Sequence, residues 1–232
     1  MKNILLIGGS YGIGLAIAKE LQFETNIYIA SRTNESLAEI NATHIPFDAT
    51  TDTLDNTKLP EIIHGLVYCP GSINLRPFRG LKIEAFESDL QINFISLVKV
   101  IQTLLPNLTA TEQSSIVLFS SVAASMGMPF HTSVAASKGA IEGFAKALAA
   151  EYAPKIRVNV IAPSLTDTPL AEKFLSNDEK REKSAQRHPL KRVGSSQDMA
   201  QMASFLLSEK SSWISGQIFH VDGGMSTLLV NQ

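Results

Sequence analysis

Short apolar runs alternate along this chain with longer stretches in which apolar residues recur at helical spacing. The runs at 3–7, 26–30, 44–47, 65–69, 115–119, 157–161 and 217–221 are almost continuously apolar, as strands covered on both faces require. Between them the period predicts helices over 12–23, 34–40, 83–105, 133–152 and 196–208. Pro106 is expected to end the third helix, and Pro154 follows the fourth. Strands that alternate with helices imply repeated βα units, so the expected fold class is α/β: a doubly wound parallel sheet of about seven strands with helices on both faces. One stretch breaks the rhythm. Residues 163–193 carry Pro169, Pro189 and many charges between Glu172 and Arg192, and read as a short helical excursion forming a lid rather than as a linker. No repeat, low-complexity tract or boundary divides the chain, so residues 1–232 are read as one domain.

Composition narrows the partners. A chain of 232 residues buries about 70% of its unfolded surface and needs no staples. With 20 basic and 22 acidic residues there is no net positive field for a phosphate backbone, which argues against nucleic acid. Cys69 is the only cysteine, and no Cys/His cluster has zinc-ligand spacing. A metal-free protein of a reducing compartment is expected. The apolar runs are too short to cross a bilayer, and Met1 leads through Ile7 straight into a glycine turn with no room for a signal segment. The expectation is therefore a cytoplasmic globule without a membrane partner.

The first strand runs into Gly8-Gly9-Ser10-Tyr11-Gly12-Ile13-Gly14 and then a helix. Glycines permit a tight turn and let backbone approach a pyrophosphate, which a helix N-terminus favours through its free N–H groups and dipole. The same glycines would also serve a simple strand-to-helix turn, but their place after the first strand of an alternating chain points to a nucleotide. The second strand ends Ala30-Ser31-Arg32. Where dinucleotide folds put a carboxylate for a ribose 2′-hydroxyl, Arg32 offers a fork for a 2′-phosphate. NADP is thus expected over NAD.

Taken in order, these residues resemble the short-chain dehydrogenase/reductase family from Lys2 to the last strand. Gly8, Gly12 and Gly14 match its TGxxxGxG turn, with Ile7 in place of Thr. Asp48, followed by Ala49, matches the residue that contacts adenine. Tyr68-Cys69-Pro70-Gly71 lies where the family has NNAG, keeping only the glycine. Asn93 matches the asparagine of the long central helix, and Ser121 the catalytic serine. Pro163 to Thr168 is similar to PGxxxT, whose threonine touches the nicotinamide amide, and Val221-Asp222-Gly223-Gly224 to the closing signature. The resemblance implies a Rossmann-like dinucleotide-binding domain, a nicotinamide cofactor, a small-molecule substrate, and a homo-oligomer, dimer or tetramer, built through the central helices and C-terminal strand.

The YxxxK motif departs from the pattern. Lys138 is present, but Val134 stands four residues before it, at the family's usual distance from Ser121. Residues i and i+4 share a helix face, so the family's lysine lowers the pKa of its tyrosine. Valine holds no proton. Losing a general acid costs about 10² to 10⁴ in rate. Lys138 is expected to keep the family lysine's contact with the nicotinamide ribose, rather than stand as a solvated helix lysine. Ser121 reads equally as a carbonyl polariser or a strand-end serine that satisfies a turn, and Asn93 as a water holder or a backbone partner. His131 lies seven residues before Lys138, where enoyl reductases of the superfamily place their tyrosine. As a lone histidine it reads first as a polar loop residue and second as a replacement acid. Tyr11 and Tyr68 stand near the expected cofactor but have no lysine at helical spacing. Met126, Met128 and Phe130 form an apolar loop that could line a pocket for an apolar carbonyl or enone, or pack on the lid or another subunit. The charges from Asp178 to Arg187 are expected to lie on a solvated helix. The function expected is an NADP-dependent oxidoreductase with a non-standard proton donor, namely His131, a water or the substrate. The alternative is an NADP-binding protein without chemistry, acting as a sensor or assembly partner.

Overall fold

A computed structural model describes residues 1–230. Its strands are β1 (Lys2–Ile7), β2 (Thr25–Ser31), β3 (Ala42–Pro46), β4 (Gly65–Tyr68), β5 (Ser114–Phe119), β6 (Ile156–Pro163), β7 (Thr166–Asp167), β8 (Gly194–Ser195) and β9 (Ile218–Val221). Seven of them form one parallel sheet in the order β3-β2-β1-β4-β5-β6-β9, while β7 and β8 pair separately. The helices are α1 (Gly12–Leu21), α2 (Ile83–Leu90), α3 (Ser96–Thr109), α4 (Thr132–Tyr152), α5 (Asp178–Gln186) and α6 (Ser196–Leu207).

The double cover explains the continuous apolar strands. Leu5 and Ile7 of β1 pack in the layer that holds Leu97, Ile101 and Leu104 of α3 and Ile141 and Leu148 of α4. Ile4 and Leu6, on the opposite face, meet Ile17 and Leu21 of α1 and Ala203 and Leu206 of α6. Both faces of every central strand are thus removed from water, which is the arrangement that parallel sheets need. β1 pairs with β2 through Ile7 and Ala30 and with β4 through Ile7 and Tyr68. The chain order reverses at β1, so the loops after β1 and β4 diverge and leave a crevice at the carboxyl edge.

Three expectations change. Residues 34–40 form only a 3₁₀ turn, Glu35–Leu37, because Leu37 and Ile40 are its only buried apolar side chains and so short a helix is marginal alone. Pro106 does not end its helix. α3 continues to Thr109 because Leu108 and Asn107 are buried there, and the Asn107 amide and carbonyl hold Pro60 and Ile63. α2 and α3 are joined by a π-helical stretch, Gln91–Ile95, into one 27-residue helix. That helix is long and apolar enough, at mean hydropathy 1.2, to cross a membrane by length and composition, contrary to the apolar-run expectation. Its buried face packs on the sheet instead.

The excursion of 163–193 returns to its starting point. β7 pairs with β8, the Arg181 guanidinium reaches Asp167 at 2.6 Å, and the Arg192 guanidinium holds Asp198 at 2.7 and 2.8 Å in the capping box that opens α6. Two polar side chains of β6 anchor the chain that leads to β9. Arg157, 6% exposed, donates to the Gln113 amide oxygen at 3.1 Å and to the carbonyls of Ile214 and Leu206 at 3.1 and 3.0 Å. Asn159 donates to Ile214 O and accepts from Gln217 N. Arg157→Met should cost at least about 2 kcal/mol in urea unfolding, since even one buried hydrogen bond from a charged donor is worth about 1.5–3 kcal/mol. A loss under about 0.5 kcal/mol, the range of ordinary surface changes, would contradict this anchor.

Candidate active site

The glycine turn is built by crowding. Gly8 and Gly12 hold φ of 78° and 57°, which side-chain-bearing residues rarely adopt. At Gly14 a Cβ would stand 2.4 Å from the Gly8 carbonyl oxygen. α1 therefore starts directly under the turn, and among the described residues no side chain caps its N-terminus. Its free N–H groups open on a cavity of about 420 Å³. Ser10, Tyr11, Ile13, Ser31, Arg32, Asp48, Ala49, Cys69, Pro70, Gly71 and Thr168 line the same cavity. Arg32 is exposed, and among the described residues no carboxylate lies within ion-pair reach of it. Thr50 donates to Asp48 from both its hydroxyl and its N–H, and these bonds hold the carboxyl below its usual range. Thr33, Phe47 and Thr50 also line this cavity and were not foreseen, since nothing in their spacing marks them.

Ile13, Cys69, Gly71, Thr168 and Leu170 are shared with a second cavity of about 580 Å³. The two spaces are thus continuous along the carboxyl edge. Ser121, His131, Val134, Lys138 and Pro163 all line the second one. The Ser121 hydroxyl accepts from Ala123 N at 3.2 Å and caps the short turn after β5. His131 opens α4, just after Phe130 has turned the chain at φ 69°. Its Nδ1 lies 2.7 Å from the Pro129 carbonyl and must donate there, so Nε2 carries the lone pair in the neutral ring. Val134 is buried and presents only methyl groups. Met128 lines the cavity, but Met126 does not, and Phe130 is 53% exposed.

Lys138 is 8% exposed, and its Nζ donates to the Phe119 carbonyl at 2.9 Å. Burial lowers its pKa to about 8. The same burial pushes the Cys69 thiol up to about 12, which removes it as a nucleophile. Tyr68 is also held in its protonated form by burial, and its hydroxyl donates to Ile92 O at 2.8 Å. It supplies no proton near neutral pH.

Asn93 lines neither cavity. It is fully buried in the π stretch, where its amide donates to Ser72 Oγ and Ser137 Oγ at 3.1 Å each and its oxygen accepts from Ser72 N. A Cβ on Gly71 would come 3.1 Å from Asn93 Oδ1 and 3.3 Å from Lys138 Nζ. Asn93 therefore supports the floor of the site from behind. Sequence reasoning missed Asp89, which accepts from Ser72, Asn74 and Ser133 beneath that floor. It also missed His188, whose Nδ1 donates to Ser184 O and whose Nε2 accepts from Ser164 at 2.8 Å. The helix expected to be merely solvated, α5, has no buried residue, yet one side of it lines the cavity. Among the described residues no group of three or more metal-ligating side chains is gathered.

The family profile described as enoyl-(acyl carrier protein) reductase matches residues 8–226. A tropinone reductase homolog of Arabidopsis thaliana is 31% identical over 97% of this chain and 92% of its own. The ligand-free aldohexose dehydrogenase of Thermoplasma acidophilum superposes with a TM-score of 0.89 at 27% identity, covering 100% of this chain and 97% of its own. ElxO, solved with NADP bound, superposes with a TM-score of 0.89 at 25% identity, over 98% of this chain and 99% of its own.

Gly14→Ala should lower stability by about 1–3 kcal/mol, the usual cost of overfilling a packed site. Gly139→Ala in α4, whose Cβ would meet nothing within 4 Å, should stabilise by up to about 1 kcal/mol. Parallel urea melts check the pair, and equal effects at the two glycines would contradict the crowding.

Proposed function

The chain belongs to the short-chain dehydrogenase/reductase family, whose members are oxidoreductases, and on that premise we propose that it is an NADP-linked reductase whose proton donor is not a tyrosine. The observation that carries this reading is the continuity of the two cavities at Gly71, with the glycine turn and Arg32 at one end and Ser121, His131 and Lys138 at the other. A dinucleotide suits such a space, and the residues fit it. Among the described residues α1 offers uncapped N–H groups and Arg32 a guanidinium with no carboxylate partner, while Gly71 leaves the room that a Cβ would fill. NADP-bound ElxO supports the choice of cofactor.

In this reading Gly8, Ser10, Tyr11, Gly12, Ile13 and Gly14 hold the pyrophosphate. Ser31 and Arg32 hold the 2′-phosphate, while Asp48, Ala49, Cys69, Pro70 and Gly71 hold the adenine half and its ribose. Pro163 and Thr168 hold the nicotinamide amide. When bound, the reduced nicotinamide supplies a hydride. Lys138, as an ammonium below pH 8, donates to the nicotinamide ribose hydroxyls. Ser121 donates to the substrate oxygen, His131 delivers a proton from Nε2 when its ring is charged, and Asn93 positions Gly71 and Lys138. The segment 163–193 acts as a lid, and the Lys173 ammonium already reaches across to Ile73 O at 3.2 Å. Exposed Ile83, Leu90 and Ile95 along the central helix support a homo-oligomer.

Val134 also favours a second reading, in which the dinucleotide binds and no chemistry follows. It replaces the hydroxyl that the family uses with methyl groups. A screen of NADPH consumption against ketones, aldehydes, quinones and enones separates the two. The first reading expects turnover that His131→Ala lowers about 10²-fold or more without weakening NADPH binding. The second expects none in the native chain and a gain of carbonyl reduction in Val134→Tyr. Failure of native chain and variant alike to consume NADPH would overturn the reductase assignment.

A further inference from the structure

The second cavity has a charge asymmetry that the chain as a whole lacks. Lys138, Lys173, Lys180, Lys183 and Arg187 line it, with His131 and His188, and not one aspartate or glutamate does. The full chain carries a formal charge of −2, so this is a local sorting and no reflection of composition. Three carboxylates adjacent to lining residues in sequence or bonded to them are engaged elsewhere. Asp167 pairs with Arg181, Asp89 is buried beneath the floor, and Glu142 accepts from Ser120 at 2.6 Å.

α5 does most of the sorting. Lys180, Lys183, Ser184 and Arg187 fall at spacings of three, four and seven residues, which place them on one side of a helix, and that side lines the cavity. Asp178, Glu179 and Glu182 of the same helix do not line it. The helix dipole gives Lys183 and Arg187 a general reason to sit in the last turn, but it does not choose the side they occupy. The side is set by His188, 3% exposed, which follows α5 and is hydrogen-bonded to Ser184 O at 2.8 Å and to Ser164 at 2.8 Å in the loop after β6. Among the described residues, none of Lys173, Lys180, Lys183 and Arg187 has a carboxylate within 4 Å. Four cations face a cleft, unneutralised, with Leu75, Met128, Leu170 and Phe174 as its apolar wall.

We infer that the substrate of the proposed reductase is an anion with an apolar body, its carboxylate or phosphate group held at the mouth by Lys180, Lys183 and Arg187. This rests on the reductase reading for the identity of the inner half of the cavity. A cleft lined by one sign of charge concentrates the opposite ion and is sensitive to salt. The bidentate fork of Arg187 suits either oxyanion, and the apolar wall accounts for the rest of the molecule.

The test uses isothermal calorimetry on the full chain, with and without saturating NADPH, titrating decanoate, decyl phosphate and decanol. Either anion should bind at least about tenfold tighter than decanol, and the preference should shrink as salt rises from about 0.05 M to about 0.5 M. The tighter of the two anions identifies the headgroup. In Lys183→Gln/Arg187→Gln, whose side chains are exposed and support no packing, the preference should fall to within about twofold while NADPH affinity holds. Equal binding of decanoate, decyl phosphate and decanol would overturn the inference. So would a variant that loses NADPH affinity and keeps the anion preference, since the cations would then serve the cofactor. Failure of NADPH to bind at all, with the anion preference intact, would remove the reductase reading and leave the anion site standing.

Discussion

The parallel pairing of β1 with β2 on one side and β4 on the other is the constraint on which the site depends. Because the connection after β1 runs to β2 on one side and the connection after β4 runs to β5 on the other, the loops after Ile7 and Tyr68 part at the carboxyl edge and cannot fill the gap between them. The glycine turn, the Cys69-Pro70-Gly71 loop, Ser121 after β5 and Pro163 at the end of β6 all reach the same edge for the same topological reason. Gly14 then lets α1 begin under the turn, so the positive end of a helix faces the gap. The chemistry of the site is local, but its position is a property of the whole sheet.

The polar groups behind this edge are unusually deep. Asn93, Asp89, Ser72 and Ser137 are linked by hydrogen bonds beneath Gly71, beside the buried Lys138 ammonium on Phe119 O, and the π stretch carries Asn93 into that network. Burial that is satisfied by hydrogen bonds costs little, whereas burial of the Lys138 ammonium carries a residual penalty that shows as its lowered pKa. Relief of that penalty makes its sign unusual. Below pH 8 the folded chain holds a charge it would rather release, and between about 8 and the ordinary lysine range the unfolded chain binds the extra proton, so this group adds stability as pH rises. Dinucleotide hydroxyls at Lys138 would work in the opposite direction, favouring the charged form.

Much of this was legible in the sequence because doubly covered strands and a glycine turn leave direct marks. All seven strands of the main sheet lie where the apolar runs predict, and the expected cofactor residues line the joined cavities. Other features had no such mark. Pro106 was expected to stop a helix, and the burial of Leu108 outweighed its missing N–H. Residues 34–40 have helical spacing but too little buried surface. The sorted charges of α5 were invisible because a helix with no apolar stripe gives no indication of which side faces inward. That side is chosen by His188, whose link to Ser164 joins residues 24 apart in sequence. Asn93 sits behind the site rather than in it for a similar reason, since a π stretch alters the helical phase without any sequence signal as clear as proline or glycine.

The most direct test of the central claim is a fluorescence titration of the native protein with NADPH and with NADH. The account predicts saturable binding of NADPH at least about tenfold tighter than of NADH, because Arg32 would pair with the 2′-phosphate and no carboxylate at the end of β2 accepts from a 2′-hydroxyl. Binding of neither dinucleotide would contradict the assignment of the joined cavities, and a preference for NADH would contradict the role of Arg32.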